Sequence, residues 1–274
     1  MKDKLILVIF LLTILVVVGI IFKSPKVKEE IKIDNIQNVT KNERLIVVDF
    51  YDTKTLTIND PYVTFDVKYP HFNNVDTSFN SNIENLLQTK IEDHKKISEE
   101  YWKARYDTQT EGENFPKVPA TDADKLNFSS DFTIIQSNSS YVSFVFKYGG
   151  FSGGAHGYEN IVSFNYDVKN NRIIELKDLF LNDPEYLTFL SDTSRKYLKN
   201  QLTSISEEEK DNSDPEALKE YIDNMISMID SGTEPNIENF SVFTFTPDKI
   251  KIYFAQYQVG PYVIGMPEVE INRQ

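Results

Sequence analysis

YVTFDVKYPHFNNVDTSFNSNIENLLQTKIEDHKKISEEYWKAR, residues 62–105, sets two periodicities back to back. Tyr62 to Tyr69 alternates strictly and is rich in β-branched and aromatic residues, as a half-buried strand requires. From Val75 to Arg105 the repeat lengthens. Phe79, Ile83, Leu86, Leu87, Ile91, His94, Ile97 and Tyr101 recur at steps of three and four, which predicts one long amphipathic helix.

Outward from this stretch the chain returns to strands on both sides. Leu45 to Tyr51 is β-branched and aromatic, and residues 107–126, with Gly112, Pro116 and Pro119, read as a connecting loop. Strands are expected at Leu126–Ser137 and Tyr141–Tyr148, around the turn Asn138-Ser139-Ser140, and again at Tyr158–Tyr166. Between them, residues 149–157 hold five of the chain's ten glycines and are expected to form a backbone-dominated loop. Pro184 to Leu202 and Pro215 to Ile229 are helical in period, each with proline near its start. Ser241–Phe245, Lys249–Ala255 and Glu268–Ile271 close the chain as strands. Strands that cluster without regular β-α alternation point to an α+β fold. The expectation is antiparallel sheets with a long helix in the N-terminal half and a helix pair in the C-terminal half, preceded by one N-terminal transmembrane helix.

That last element is the run Leu5 to Phe22, eighteen residues interrupted only by Thr13 and Gly19. As a helix it spans ~27 Å, enough to cross a bilayer. Lysines flank it on both sides, and the simpler topology leaves the short basic end inside and the long remainder outside. A cleaved signal peptide is the competing reading. The length of the run, and the bulky exit Ile20-Ile21-Phe22-Lys23-Ser24-Pro25, favour an uncleaved anchor. The sequence thus divides into a cytoplasmic stub (1–4), a signal anchor (5–22), a charged stalk without aromatics (23–44) and an extracytoplasmic remainder, which predicts a single-pass cell-membrane protein with residues 23–274 outside.

The absence of cysteine removes disulfides, thiolate metal sites and a lipidated N-terminal Cys. With 29 basic and 42 acidic residues the net charge is −13, which repels nucleic acid and attracts cationic partners. No metal or other cofactor is expected: His71, His94 and His156 are isolated, without H-E-x-x-H or similar spacing.

Three pieces of sequence together resemble a known family: Gly153-Gly154-Ala155-His156-Gly157; Asn165-Tyr166-Asp167 leading to Leu176-Lys177-Asp178-Leu179-Phe180; and Phe254-Ala255-Gln256-Tyr257-Gln258-Val259-Gly260-Pro261-Tyr262. They are similar to the extracellular domain-of-unknown-function family that forms the outer part of the RsiV anti-sigma factor and the N-terminal region of the PdaC peptidoglycan deacetylase. The resemblance runs over residues 45–274 and implies a PdaC-like module at 45–155 and an RsiV-like module at 156–274. In that family the RsiV outer domain is a lysozyme receptor, while PdaC carries a separate deacetylase domain. Four residues ahead of the anchor cannot hold a sigma factor, and no metal-dependent catalytic domain is recognisable, so the shared outer module alone is expected.

Gly150-Phe151-Ser152-Gly153-Gly154 matches G-x-S-x-G, but an elbow needs a helix after the Ser and an acid before the His, and here a strand pattern follows. No catalytic residue is assigned. His94, on the helix's apolar stripe, reads as a hydrogen-bonded core histidine, and Glu99-Glu100 and Glu207 to Glu209 read as solvated acids. Most of the aromatics, Trp102 among them, read as ordinary packing. The four N-x-[ST] matches, at Asn38, Asn127, Asn138 and Asn239, read as chance. The candidate ligand-binding set is Ser152, Gly153, Gly154, His156, Tyr257 and Tyr262. The function expected from it is a membrane-anchored recognition module of a bacterial cell envelope, binding a cell-wall component such as peptidoglycan or a cationic protein such as lysozyme. The alternatives are a peptidoglycan-modifying hydrolase or deacetylase using His156 and nearby carboxylates, and a scaffold without a ligand.

Overall fold

The computed structural model describes residues 50–273 except 111, 182 and 210–213, and of residues 206–209 the backbone only. The anchor, the stalk and most of the strand expected from Leu45 lie outside the described residues. Among those residues no helix is long and apolar enough to cross a membrane.

Six strands form the first sheet in sequence order: β1 (Tyr51–Leu56), β2 (Val63–Phe72), β3 (Leu126–Ser137), β4 (Tyr141–Phe151), β5 (Tyr158–Asp167) and β6 (Arg172–Ile173). Neighbours are antiparallel except β2 and β3, which run parallel, Val63 opposite Leu126. This corrects the all-antiparallel expectation. The long helix α1 (Thr77–Asp107) is the crossover joining them, and a crossover returns the chain in the direction it left.

Asp76 starts α1 by accepting the Ser78 amide at 2.8 Å, and the Thr108 amide bonds Ala104 O at the other end. The buried line is Phe79, Ile83, Leu87, Ile91, His94, Ser98 and Trp102. Each four-residue step turns the line by about 40°, and the three-residue step from Ile91 to His94 turns it back by about 60°. The last turns therefore bury Ser98 and Trp102, whereas Ile97, expected inside, is 46% exposed. The helix covers one face of the sheet, against Phe72, Phe128, Phe144, Phe146 and Tyr166.

The glycine-rich stretch is not all loop. Gly149 and Gly150 belong to β4, where a Cβ would meet Tyr158 O at 2.1 Å and Asn127 O at 1.9 Å, so close strand approach selects glycine there. Only residues 152–157 connect β4 to β5, and the expected module boundary at 155–156 falls in this hairpin connection.

Helices α2 (Tyr186–Glu209) and α3 (Pro215–Gly232) precede a three-stranded antiparallel sheet, β7 (Phe243–Phe245), β8 (Lys249–Tyr253) and β9 (Glu268–Asn272). Leu190, Leu198, Leu202, Met225, Ile229, Ile252 and Phe254 form its core.

The two sheets meet through polar side chains. The outer edge of β7 has no strand partner, and an open edge buried in the fold must be satisfied otherwise. Ser163 Oγ accepts the Phe243 amide at 3.0 Å, and Ser143 Oγ accepts the Phe245 amide at 3.0 Å. Asn165 Nδ2 donates to Phe243 O and Gln136 Nε2 to Phe245 O, both at 2.8 Å. A bulge in β3 between Ile134 and Gln136 places Gln136 opposite Ser143, on the face that β7 occupies. Val145 and Ile161 pack beside this seam against Tyr253, Val242 and Met266.

Candidate functional site

The β4–β5 connection is fixed from two sides. Gly153 has φ +90, and a Cβ there would meet the Tyr101 ring of α1 at 2.3 Å, so only glycine fits. Two residues past His156, the Tyr158 hydroxyl and His94 Nδ1 share a hydrogen bond of 2.8 Å. His94 is 1% exposed, and burial pushes its pKa below the ordinary value against the opposing pull of the Asn127 carbonyl and Asp60. Burial pushes the Tyr158 hydroxyl up to about 12, with Tyr148 and Asp93 adding to it.

On the other side lies the segment after β8. Tyr257 has φ +66, a left-handed conformation that costs a β-carbon residue about 1 kcal/mol or more and persists only where neighbours enforce it. They do so here. Gln256 Oε1 accepts the Glu159 amide at 3.2 Å. Gln258 Nε2 donates to Gly232 O at 3.0 Å and to Asn239 O at 2.9 Å, while its Oε1 accepts the Ala255 amide at 3.0 Å. The strained residue is held between two anchored glutamines, and its ring is turned to solvent, 51% exposed.

Here three of the six sequence-picked residues meet. The His156 ring stacks on Tyr262, centroids 4.0 Å apart and planes 26° from parallel. Tyr257 O–H donates to His156 Nε2 at 2.9 Å, and His156 Nδ1–H donates to Gly157 O at 2.7 Å. Tyr257 and Tyr262 lie 6.0 Å apart between centroids. The result is a surface cluster of three rings with fixed geometry, His156 and Tyr257 exposed and Tyr262 half-buried. Both ring nitrogens of His156 are engaged, one by a backbone carbonyl and one by a hydroxyl, so the ring presents a face more readily than a base.

Gly153 and Gly154 shape the connection beneath the cluster, and Ser152 follows β4 into this connection and then β5, not into the strand-to-helix turn of a nucleophile elbow. Glu99 and Glu100 are exposed on α1 and Trp102 is buried beneath it, 6% exposed. Among the described residues no group of three or more His, Asp or Glu is placed to hold a metal. Sequence reasoning missed Tyr101, Gln256 and Gln258 as the supports of the cluster. The only local signal was the Gln-Tyr-Gln turn, and its partners lie 97 and 26 residues away.

These features define a two-part α+β module whose halves join at an aromatic surface. Residues 56–159 match the family described as Deacetylase PdaC, and residues 177–274 match the family described as Protein of unknown function (DUF3298). The chain carries a PdaC-like region followed by a DUF3298 region. It is 25% identical over 265 residues to the peptidoglycan-N-acetylmuramic acid deacetylase PdaC of Bacillus subtilis (strain 168), covering 96% of this chain and 48% of that protein. The chain therefore spans about half the length of that relative. Among solved structures, a member of the DUF3298 family from Bacteroides fragilis is 18% identical, with a TM-score of 0.49, over 81% of this chain and 90% of that one. A DUF3298 family protein from Pseudomonas aeruginosa PAO1 is 13% identical, with a TM-score of 0.45, over 82% and 91%.

The motifs behind the family resemblance have structural roles at the joint. Asn165 satisfies β7, the Asp167 carboxylate accepts from Asn170, and Phe254 fills the second core. Gln256 to Tyr262 build the cluster.

Proposed function

We propose that the protein is a non-enzymatic recognition module of a bacterial cell envelope, held at the membrane by residues 5–22 with residues 23–274 outside, and that it binds a glycan of the cell wall. The observation that carries this reading is the His156–Tyr257–Tyr262 cluster, three rings preorganised on the surface at the cost of a left-handed tyrosine. Sugars present flat C–H faces that stack on such rings, and hydroxyls that pair with a phenol. Similarity to a peptidoglycan deacetylase supports a cell-wall ligand. Rings fixed before binding lose little entropy on contact.

Cosedimentation of the full chain with purified peptidoglycan tests it. The native protein is expected to pellet with the polymer, and Tyr262→Ala and His156→Ala to weaken retention at least tenfold without unfolding. Equal retention of all three proteins, or none of the native one, contradicts the reading.

The net charge of −13 supports a second reading, a cationic protein partner such as a lysozyme. Such binding weakens steeply with salt, whereas ring stacking does not, so repeating the assay at 0.05 and 0.5 M salt separates the two.

A further inference from the structure

The second half of the chain covers only part of the first sheet's outer face. Next to the covered part, a groove of about 560 Å³ remains open, lined by Asp66, Ser129, Asp131, Lys147, Gly149 and Glu159 among others. Register sets these in rows. Asp66 stands opposite Ser129, Ser129 opposite Gly149, and Gly149 opposite Glu159, so one row crosses four strands with a carboxylate at each end and no side chain at Gly149. The adjacent row places Asp131 opposite Lys147. Lys68 is engaged by Asp66 at 3.9 Å, whereas among the described residues Lys147, Asp131 and Glu159 have no ion-pair partner.

Lys147 and Glu159 are diagonal neighbours on adjacent antiparallel strands, about 7–8 Å apart. An extended peptide advances about 3.3–3.6 Å per residue, so the pair matches a carboxylate and an amine two residues apart. The groove also continues the ring cluster. Gly157, part of its lining, follows His156 directly, and the Glu159 amide is bonded to the side chain of Gln256, next to Tyr257.

From these placements we infer that the groove is a second subsite, and that the ligand of the combined surface is a glycopeptide, a sugar bearing a short peptide with free amino and carboxylate groups. The sugar stacks on the face of His156 turned away from Tyr262, and the peptide lies over Gly149 with its carboxylate at Lys147 and its amine at Glu159. This inference rests on the glycan reading of the cluster, and adds to it the charged peptide.

Calorimetric titration of the full chain with three probes tests it: a neutral N-acetylated disaccharide, a free tetrapeptide carrying amine and carboxylate, and the disaccharide-tetrapeptide conjugate. The conjugate is expected to bind at least tenfold tighter than the disaccharide. Lys147→Gln should reduce the conjugate to the disaccharide's affinity and leave the disaccharide unchanged, and Lys147→Arg should restore it. An unaltered denaturation midpoint shows that the variants fold. Equal affinity for conjugate and disaccharide, or indifference to Lys147→Gln, overturns the groove and leaves the cluster standing. Absence of binding by disaccharide and conjugate alike overturns both.

Discussion

His94 stands on the buried line of α1, and its imidazole holds the Tyr158 hydroxyl and, through it, the base of the β4–β5 connection. Burial keeps the ring neutral, so the folded pKa lies below the ordinary 6.5. The unfolded chain then binds the proton more readily than the folded one, and stability falls as pH drops through 6.5 toward the lowered folded value. Denaturant midpoints at pH 7.5 and 5.0 should show this fall, and His94→Gln should remove the part due to this residue. An identical pH response in both proteins contradicts it. Tyr158 acts at the other end of the scale: its raised pKa adds a loss of stability above pH 10, complete near 12, which Tyr158→Phe abolishes along with about 1 kcal/mol of hydrogen bonding.

Among the elements, β4 is the one whose glycines were mistaken for a loop. Composition alone makes a glycine pair look like a turn, whereas here two backbones approach so closely that only glycine fits. Gly150→Ala should therefore lower stability by about 1–3 kcal/mol in chemical denaturation, and a change below ~0.5 kcal/mol would show that the strand relaxes around the methyl group. The alternating strands and the three helices were legible because period-2 and period-3.6 patterns report which face is buried. The parallel pairing of β2 with β3 was also written in the order strand, long helix, strand. The abundance of hairpins elsewhere obscured it. Ile97 was expected inside because isoleucine looks more apolar than serine, and only packing against the sheet decides for Ser98.

At the scale of the whole molecule, two cores are joined by a polar seam in which side chains of one sheet complete the edge of another. Asn165 is its centre, accepting from Ser143 at 2.7 Å and donating to Phe243 O. Asn165→Ala orphans both partners in a buried setting and should cost about 2–4 kcal/mol. Urea unfolding measures this, and a loss under 1 kcal/mol would mean that water replaces the amide. The candidate site depends on the same joint. His156, Tyr257 and Tyr262 were singled out in the sequence by a glycine-rich context and a family-like ending. Their meeting was not legible, because the hydrogen bond between Tyr257 and His156 spans 101 residues. Of the supports Tyr101, Gln256 and Gln258, only the Gln-Tyr-Gln turn gives a local sign, and its partners across the joint lie 97 and 26 residues away.

The central claim is that this joint is a glycan-recognition surface. Nitrogen-15 amide shift mapping of the full chain, titrated with a soluble cell-wall disaccharide-peptide, tests it most directly. The account predicts saturable shifts centred on His156, Gly157, Tyr257 and Tyr262, extending to Gly149 and Glu159. Shifts confined to the cleft of Phe79, Ile173 and Ile237, or no shifts at saturating ligand, would contradict it.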